Sequence, residues 1–333
     1  MGFDAAQKER NLIAESEAWD TTRSVPAETG DIPIIDVSDY FASNSDEDLA
    51  VVGAQLREAG EKVGFFLLTG HGVDTDLISG LFADAKRFHE LPAATKEQLA
   101  MDRPGAIAGS GYLAPHNRKL PTRSNSNANE AIVLKSGNGL TLADNEWLDE
   151  DAIPGFRGAI EQYAQTVEAL ALRLLRIYAA ALDLEPDYFA DAFLEPLWRL
   201  RLTHYLPADM TANDDEYGIA PHVDTTFLTM LVSDSPGLTV YSTERDEWVE
   251  APVVEGAFIV NTGELLKQWS NDRFVSVRHF VKPREGHRYS VPFFFNASAD
   301  FPMECLPTCT NEDNPPKYPT ISYLQSQGIV QGE

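Results

Sequence analysis

The chain has 333 residues, 43% of them hydrophobic, with 22 Gly and 20 Pro, which describes a globular protein with a sizeable core rather than a disordered or fibrous one. Its formal charge of −26 would repel a polyanion, so nucleic acid is excluded as a natural partner, and no run approaches the ~20 apolar residues of a membrane span. Two cysteines, Cys305 and Cys309, make no disulfide framework, and without a nearby His they make a poor zinc site.

The first 30 residues form a polar leader. They lack an apolar signal core, and Ala6 stands where a myristoylation signal needs Ser or Thr, so a cytoplasmic location is expected. "IPIIDVSDY" (32–40) predicts a short strand. Ser45 and Asp48 then stand at capping spacing before a helix-periodic segment. "GFFLLTGHGV" (64–73) predicts a buried strand, and a second helix runs from about Asp76 to Leu91, stopped by Pro92. Residues 31–130 therefore open the fold as an α/β region.

Within that region, residues 102–130 are the longest turn-rich stretch. Arg103, Arg118, Lys119 and Arg123 are concentrated there against only Asp102 and Glu130. The stretch is either a mobile surface loop or a cover that offers cations to an anionic substrate. Residues 131–198 read as a helical scaffold, dominated by the Ala- and Leu-rich 156–182 segment. After Pro196 come short β-rich segments separated by Pro, Gly, Asn and Asp, which predicts a sandwich or barrel over 199–310. Residues 311–333 read as a tail or helix, and 31–310 as one integrated unit. The expected class is α+β, mainly β.

"IAPHVDTTFLTML" (219–231) sets His222 and Asp224 two residues apart at the entrance to a strand, where period two points both to one side. Of the seven histidines, His279 in "VSVRHFV" is the other one at a β-segment end in the C-terminal half. Each alone is more often an ordinary hydrogen-bonded residue. Together, two imidazoles and one carboxylate leave neighbouring positions open on a metal, which suits non-haem Fe(II) better than structural zinc. Nine residues beyond His279, "RYSVPFFF" aims Arg288 and Ser290 to one face of an interior strand. A guanidinium in apolar surroundings is costly unless it meets an anion, and a carboxylate matches its fork.

These motifs resemble the Fe(II)- and 2-oxoglutarate-dependent dioxygenases of the isopenicillin N synthase-like family. "HVD" (222–224), His279 and "RYS" (288–290) follow its H-x-D…H…R-x-S pattern in order. "IPIIDVSDY", "GFFLLTGHGV" and "FHELPAATKEQL" resemble its N-terminal region, and "RLTHYLP" (201–207) the segment carrying a cosubstrate-contacting tyrosine, here Tyr205. Thr203 departs from the Asn of many members. The resemblance spans nearly the whole chain from about residue 31. It implies a double-stranded β-helix, or jelly roll, flanked by helices. It also implies that His222, Asp224 and His279 hold Fe(II), and that Arg288, Ser290 and Tyr205 bind 2-oxoglutarate.

On that resemblance, O2 is consumed with release of succinate and CO2, and an unactivated C–H of a small metabolite is oxidised. The presence of Asp224 disfavours halogenation, and leaves hydroxylation, desaturation and ring closure open. Tyr112, Arg118, Arg123, Asn125, Phe227 and Leu228 are the expected substrate pocket, with the arginines pairing a substrate carboxylate. No membrane, nucleic acid or obligatory protein partner is expected. Two rivals remain at this stage. One is a 2-oxoglutarate-independent iron oxidase whose Arg288–Ser290 pair holds the substrate carboxylate. The other is a non-catalytic metal-binding protein.

Overall fold

From residue 197 onward the alternation of apolar and polar positions resolves into strands that close on one another. The computed structural model describes residues 21, 23–116, 127–207, 217–282 and 284–328. Its larger sheet runs, in spatial order, through β2 (Ile34–Asp36), β3 (Phe65–Thr69), β11 (Phe258–Thr262), β8 (Leu228–Ser233), β13 (Arg288–Asn296), β6 (Leu197–Tyr205), β5 (Asn129–Ser136) and β4 (Gly111–Leu113). The smaller sheet runs through β1 (Val25–Pro26), β10 (Glu247–Glu250), β9 (Leu238–Ser242), β12 (His279–Val281) and β7 (Ile219–His222). Pairing is antiparallel except for β2 with β3 and β1 with β10. The two sheets form a jelly-roll core.

Strand alternation divides the buried apolar residues into three clusters, two of which flank the larger sheet. On β6, Leu200 and Leu202 face outward to the helices, and on β13 so do Tyr289, Val291, Phe293 and Phe295. The intervening Arg201, Thr203, Tyr205, Arg288 and Ser290 face the space between the sheets. There a smaller apolar cluster includes Phe65, Leu67, Leu231, Val240 and Ile259. The polar residues on this inner face are the exception that needs a reason.

The helices cover the outer face of the larger sheet. They are α1 (Ser38–Ser43), α2 (Asp46–Lys62), α3 (Thr75–His89), α4 (Ala93–Lys96), α5 (Phe156–Ala181), α6 (Glu264–Trp269) and α7 (Tyr323–Ser326). α2 starts where Ser45 Oγ accepts the Asp48 N–H at 3.1 Å, and three acids in its first turn complement the helix dipole. α5 buries Ile160, Ala164, Val167, Ala171, Leu174 and Tyr178, a stripe at three- and four-residue intervals. α2 lies so close to α5 that a Cβ on Gly53 would stand 2.9 Å from the Ala180 Cβ. None of the described helices is long and apolar enough to cross a membrane.

Two segments differ from the sequence reading. Only Ile34–Asp36 of the 32–40 stretch is strand, because Ser38–Ser43 turns at once into α1. Residues 129–136, read as a loop end and the start of a helical region, form β5 between β6 and β4. Asn129 and Glu130 begin that strand and disguise its period. Both are buried for reasons that only the tertiary structure supplies.

Candidate active site

His222 and His279 are direct cross-strand partners on β7 and β12, so their rings lie side by side, 4.4 Å between centroids. Asp224 follows β7 in a turn clamped by the start of α6. Glu264 N–H donates to the Asp224 carbonyl at 2.7 Å, Leu265 N–H to Thr226 at 3.1 Å, and Gly263 N–H to Phe227 at 3.2 Å. Gly263 permits this approach, since a Cβ there would collide with the Thr226 carbonyl at 2.0 Å. The Asp224 Oδ1 then lies 3.6 Å from His222 Nε2 and 3.7 Å from His279 Nε2.

The remaining atoms of these side chains are already engaged. His222 Nδ1 meets the Ala220 carbonyl at 2.9 Å and His279 Nδ1 the Val277 carbonyl at 3.3 Å. A carbonyl only accepts, so each ring carries its proton on Nδ1 and turns a bare Nε2 inward. Asn261 Nδ2 donates to Asp224 Oδ2 at 2.9 Å, which leaves Oδ1 for the centre. Three acceptors converge with no proton between them, a repulsive set that a divalent cation relieves. The ligand atoms lie within 4.8 Å of one another, and the mixture of imidazole and carboxylate suits Fe(II). Asp224 and His279 are buried while His222 is half-buried, so the group opens on one side. Burial favours a protonated Asp224. The electrostatic influence of the neighbouring His279 and His222 and hydrogen bonds from Asn261 and Thr229 outweigh it and hold the carboxyl below its ordinary range.

On the larger sheet, facing the same space between the sheets, β13 pairs Arg288 with Tyr205 and Ser290 with Thr203 on β6. Arg288 is 2% exposed. Its Nε donates to the Ser235 carbonyl at 3.1 Å, and its guanidinium carbon lies 4.7 Å from the Tyr205 ring centre. Nη1 is buried without a partner. Ser290 Oγ donates to the Tyr205 hydroxyl at 3.3 Å. Gly237, at φ +137°, leaves room here: a Cβ would stand 3.3 Å from Arg288 Cδ and Nε. Thr203 Oγ1 and Asn261 Oδ1 are buried and unpartnered too. An unsatisfied buried guanidinium is expensive unless an anion joins it. A carboxylate beside Arg288 would satisfy that buried nitrogen.

A second group of metal-competent side chains, His89, Glu130 and His204, lies behind this strand pair on the helix side. Sequence reasoning missed it, since its members come from α3, β5 and β6. Glu130 receives Lys96 Nζ at 2.7 Å on Oε2, His204 Nδ1 at 2.8 Å on Oε1, and the Tyr112 hydroxyl. His204 stacks on Tyr289 with 4.6 Å between centroids and meets His287 Nδ1 at 2.8 Å. Burial raises the Glu130 pKa, and these donors more than reverse it, to well below the carboxylate range. Lysine already supplies the positive charge, so we read the group as a saturated polar network that braces β5, β6 and β13.

The expected substrate pocket needs correction. Phe227 and Leu228 are fully buried in the helix-side core, with Phe227 4.9 Å from Phe193 and 5.3 Å from Phe189 between ring centres. The turn after Asp224 resets the strand phase, so Thr229 and Leu231 face the interior instead. Tyr112 lies on the same outer side, its hydroxyl committed to Glu130. Arg118, Arg123 and Asn125 lie outside the described residues. Arg103 pairs with Glu146.

Two family models match the chain. One, described as the 2OG-Fe(II) oxygenase superfamily, covers residues 199–297; the other, described as the N-terminal part of non-haem dioxygenases in morphine synthesis, covers 32–150. The chain is 30% identical over 321 residues to the 2-oxoglutarate-Fe(II) type oxidoreductase hxnY of Emericella nidulans, with 89% of this chain and 90% of that one aligned. It is 31% identical over 293 residues to azadirone synthase LFS of Melia azedarach, covering 83% and 87%. Among solved structures, a full-length Neurospora crassa protein in complex with alpha-KG superposes with a TM-score of 0.80 at 23% identity, covering 92% of this chain and 97% of that one. The rice dioxygenase for auxin oxidation superposes with a TM-score of 0.71 at 27% identity, covering 91% and 97%.

Proposed function

The chain belongs to the 2OG-Fe(II) oxygenase superfamily, and from that premise we propose that it oxidises an unactivated C–H bond of a small, carboxylate-bearing metabolite. It is a non-haem oxygenase that uses Fe(II), 2-oxoglutarate and O2. His222, Asp224 and His279 hold the iron, and Arg288, Ser290 and Tyr205 hold the far carboxylate of 2-oxoglutarate. The observation that carries this reading is a pair of complementary features that face the space between the two sheets. Three ligand atoms of His222, Asp224 and His279 lie within 4.8 Å of one another, and Arg288 Nη1 is buried with no hydrogen-bond partner.

When bound, iron with 2-oxoglutarate and O2 would supply the oxidising power, with succinate and CO2 as coproducts. The protein's part is placement. Asn261 turns the Asp224 carboxylate so that one oxygen points inward, and the Ala220 and Val277 carbonyls fix both imidazole tautomers. Tyr205 and Ser290 orient the anion that Arg288 neutralises. The apolar cluster of Phe65, Leu231 and Ile259 keeps the inner face dry. Small-molecule oxidation accords with the Neurospora crassa protein, whose structure is also solved with alpha-KG and thymine. Hydroxylation, desaturation and ring closure differ by ångström-scale placement of the substrate.

The test is a metabolite screen for substrate-stimulated succinate release, followed by mass spectrometry of the product. A gain of one oxygen atom marks hydroxylation, and a loss of two hydrogen atoms marks desaturation or ring closure. An iron-loaded enzyme that consumes no 2-oxoglutarate in air with any metabolite would refute the reading.

A further inference from the structure

Between β8 and β13 the hydrogen-bond ladder ends in an exchange of acceptors. The last paired residues are Ser233 and Ser290. One step further, the Asp234 N–H donates to the Tyr289 carbonyl at 3.1 Å, as an antiparallel pair requires. In a regular ladder the Tyr289 N–H would return a bond to the Asp234 carbonyl. Here it goes to the Asp234 side chain, whose Oδ1 accepts it at 2.9 Å. The carboxylate takes the place of its own carbonyl, and the chain after it turns toward Arg288.

The Ser235 carbonyl is what that turn delivers. It accepts Arg288 Nε at 3.1 Å and Ser233 Oγ at 2.7 Å, which engages both of its lone pairs. Ser235 Oγ donates to Asp234 Oδ1 at 3.0 Å, so one carboxylate oxygen ties the turn to β13. The other oxygen, Oδ2, lies 3.7 Å from Lys86 Nζ on α3, and the Asp234 side chain is 18% exposed. Arg288 is thus tethered at Nε to a carbonyl that is itself held, while Nη1 on the same fork is buried and unpartnered. Because a guanidinium is planar and rigid, fixing Nε also fixes where Nη1 points.

Resting on the iron and 2-oxoglutarate reading above, we infer that Asp234 and Ser233 are positioning residues for the cosubstrate: they set the Ser235 carbonyl that aims the Arg288 guanidinium at the far carboxylate of 2-oxoglutarate. Neither side chain has to touch the keto acid. Pairing of a guanidinium with a carboxylate depends on alignment, and an arginine left to swing gives part of that gain back as rotamer entropy. Charge alone predicts the reverse. Removing the negative Asp234 would favour a bound anion, whereas removing a positioning group weakens it.

The experiment uses the full chain with Fe(II), kept anaerobic, and two keto acids that share the chelating end. 2-Oxoglutarate carries the far carboxylate; 2-oxopentanoate has a methyl group in its place. Each Kd is read from the visible absorbance of the iron chelate, and Fe(II) affinity is titrated separately. Asp234→Ala raises the Kd for 2-oxoglutarate roughly 5- to 30-fold, and Ser233→Ala roughly 3- to 10-fold. Both leave the Kd for 2-oxopentanoate and the affinity for Fe(II) within about threefold of wild type. Asp234→Asn, which keeps an acceptor for the Tyr289 N–H, binds 2-oxoglutarate within about threefold of wild type. If Asp234→Ala fails to fold, Ser233→Ala carries the test, since it removes one hydroxyl and no charge.

The inference is overturned if every folded alanine variant binds 2-oxoglutarate as wild type does, or if Asp234→Ala binds it more tightly. It is overturned too if the variants weaken both keto acids alike, or if Asp234→Asn loses as much as Asp234→Ala. A wild type that does not prefer 2-oxoglutarate to 2-oxopentanoate refutes the underlying reading of Arg288 instead.

Discussion

Asn261→Ala isolates how the protein orients Asp224, the carboxylate proposed to hold iron. Asn261 is 1% exposed on β11, and its Nδ2 gives Asp224 Oδ2 a hydrogen bond of 2.9 Å. The truncation removes a bond to a charged acceptor, which is about 1.5–3 kcal/mol, and leaves Oδ2 buried with less support. Since each 1.4 kcal/mol is tenfold, metal affinity should fall roughly 10- to 100-fold, the range found for outer-sphere partners of metal ligands. Anaerobic titration with Fe(II), or with Co(II) as an oxygen-stable substitute, measures it. The fold should persist, because the helix-side core is untouched on this inward position. A folded variant that binds metal within about threefold of wild type would refute the idea that Asn261 sets the orientation of Asp224.

Arg288→Gln should leave metal affinity unchanged and weaken 2-oxoglutarate by about 10²- to 10⁴-fold, two charge-assisted bonds at ~1.5–3 kcal/mol each; equal weakening of both ligands would contradict separate roles. Glu130→Gln should destabilise the protein by about 3–5 kcal/mol in urea unfolding, because it strands the buried Lys96 ammonium, while a change under ~1 kcal/mol would show the network to be dispensable. The same pair of proteins has a signed pH dependence. Glu130 has a folded pKa depressed below its unfolded value, so its contribution is complete above about pH 4.3 and is lost as pH falls further. The stability gap between wild type and Glu130→Gln should therefore narrow from pH 5 to pH 3, and a gap that widens on acidification would contradict the assignment.

The residues proposed for iron and 2-oxoglutarate were legible where two of them share one short strand or its edge, as His222 with Asp224 and Arg288 with Ser290 do. Period two alone puts Arg288 and Ser290 on one face, and it fixes His222 relative to the strand that carries it. Ser45 and the α5 stripe were legible for the same reason, since caps and helical periods are local. The expected pocket failed where locality fails. Phe227 and Leu228 follow Asp224 in sequence, but the turn clamped by Gly263 and Glu264 shifts the phase and sends both side chains outward. Tyr112 has a helix-side partner, Glu130, which is chosen by β4–β5 pairing rather than by any neighbour in sequence. Glu130 itself joins Lys96 from 34 positions away. Asn261 carried a weak signal: it is a polar residue at an inward position of the largely apolar strand β11.

The proposed iron donors by the smaller sheet and Arg288 on the larger sheet should act together, and one measurement addresses that most directly. Anaerobic Fe(II) and 2-oxoglutarate are added to wild type and to His279→Ala, Asp224→Ala and Arg288→Gln, and the visible charge-transfer absorbance of the bound chelate is recorded. Wild type should develop the band, the two metal-ligand variants should lose it, and Arg288→Gln should recover it only at much higher 2-oxoglutarate. A folded wild type without the band, or a band of full strength in His279→Ala or Asp224→Ala, would contradict the proposed centre.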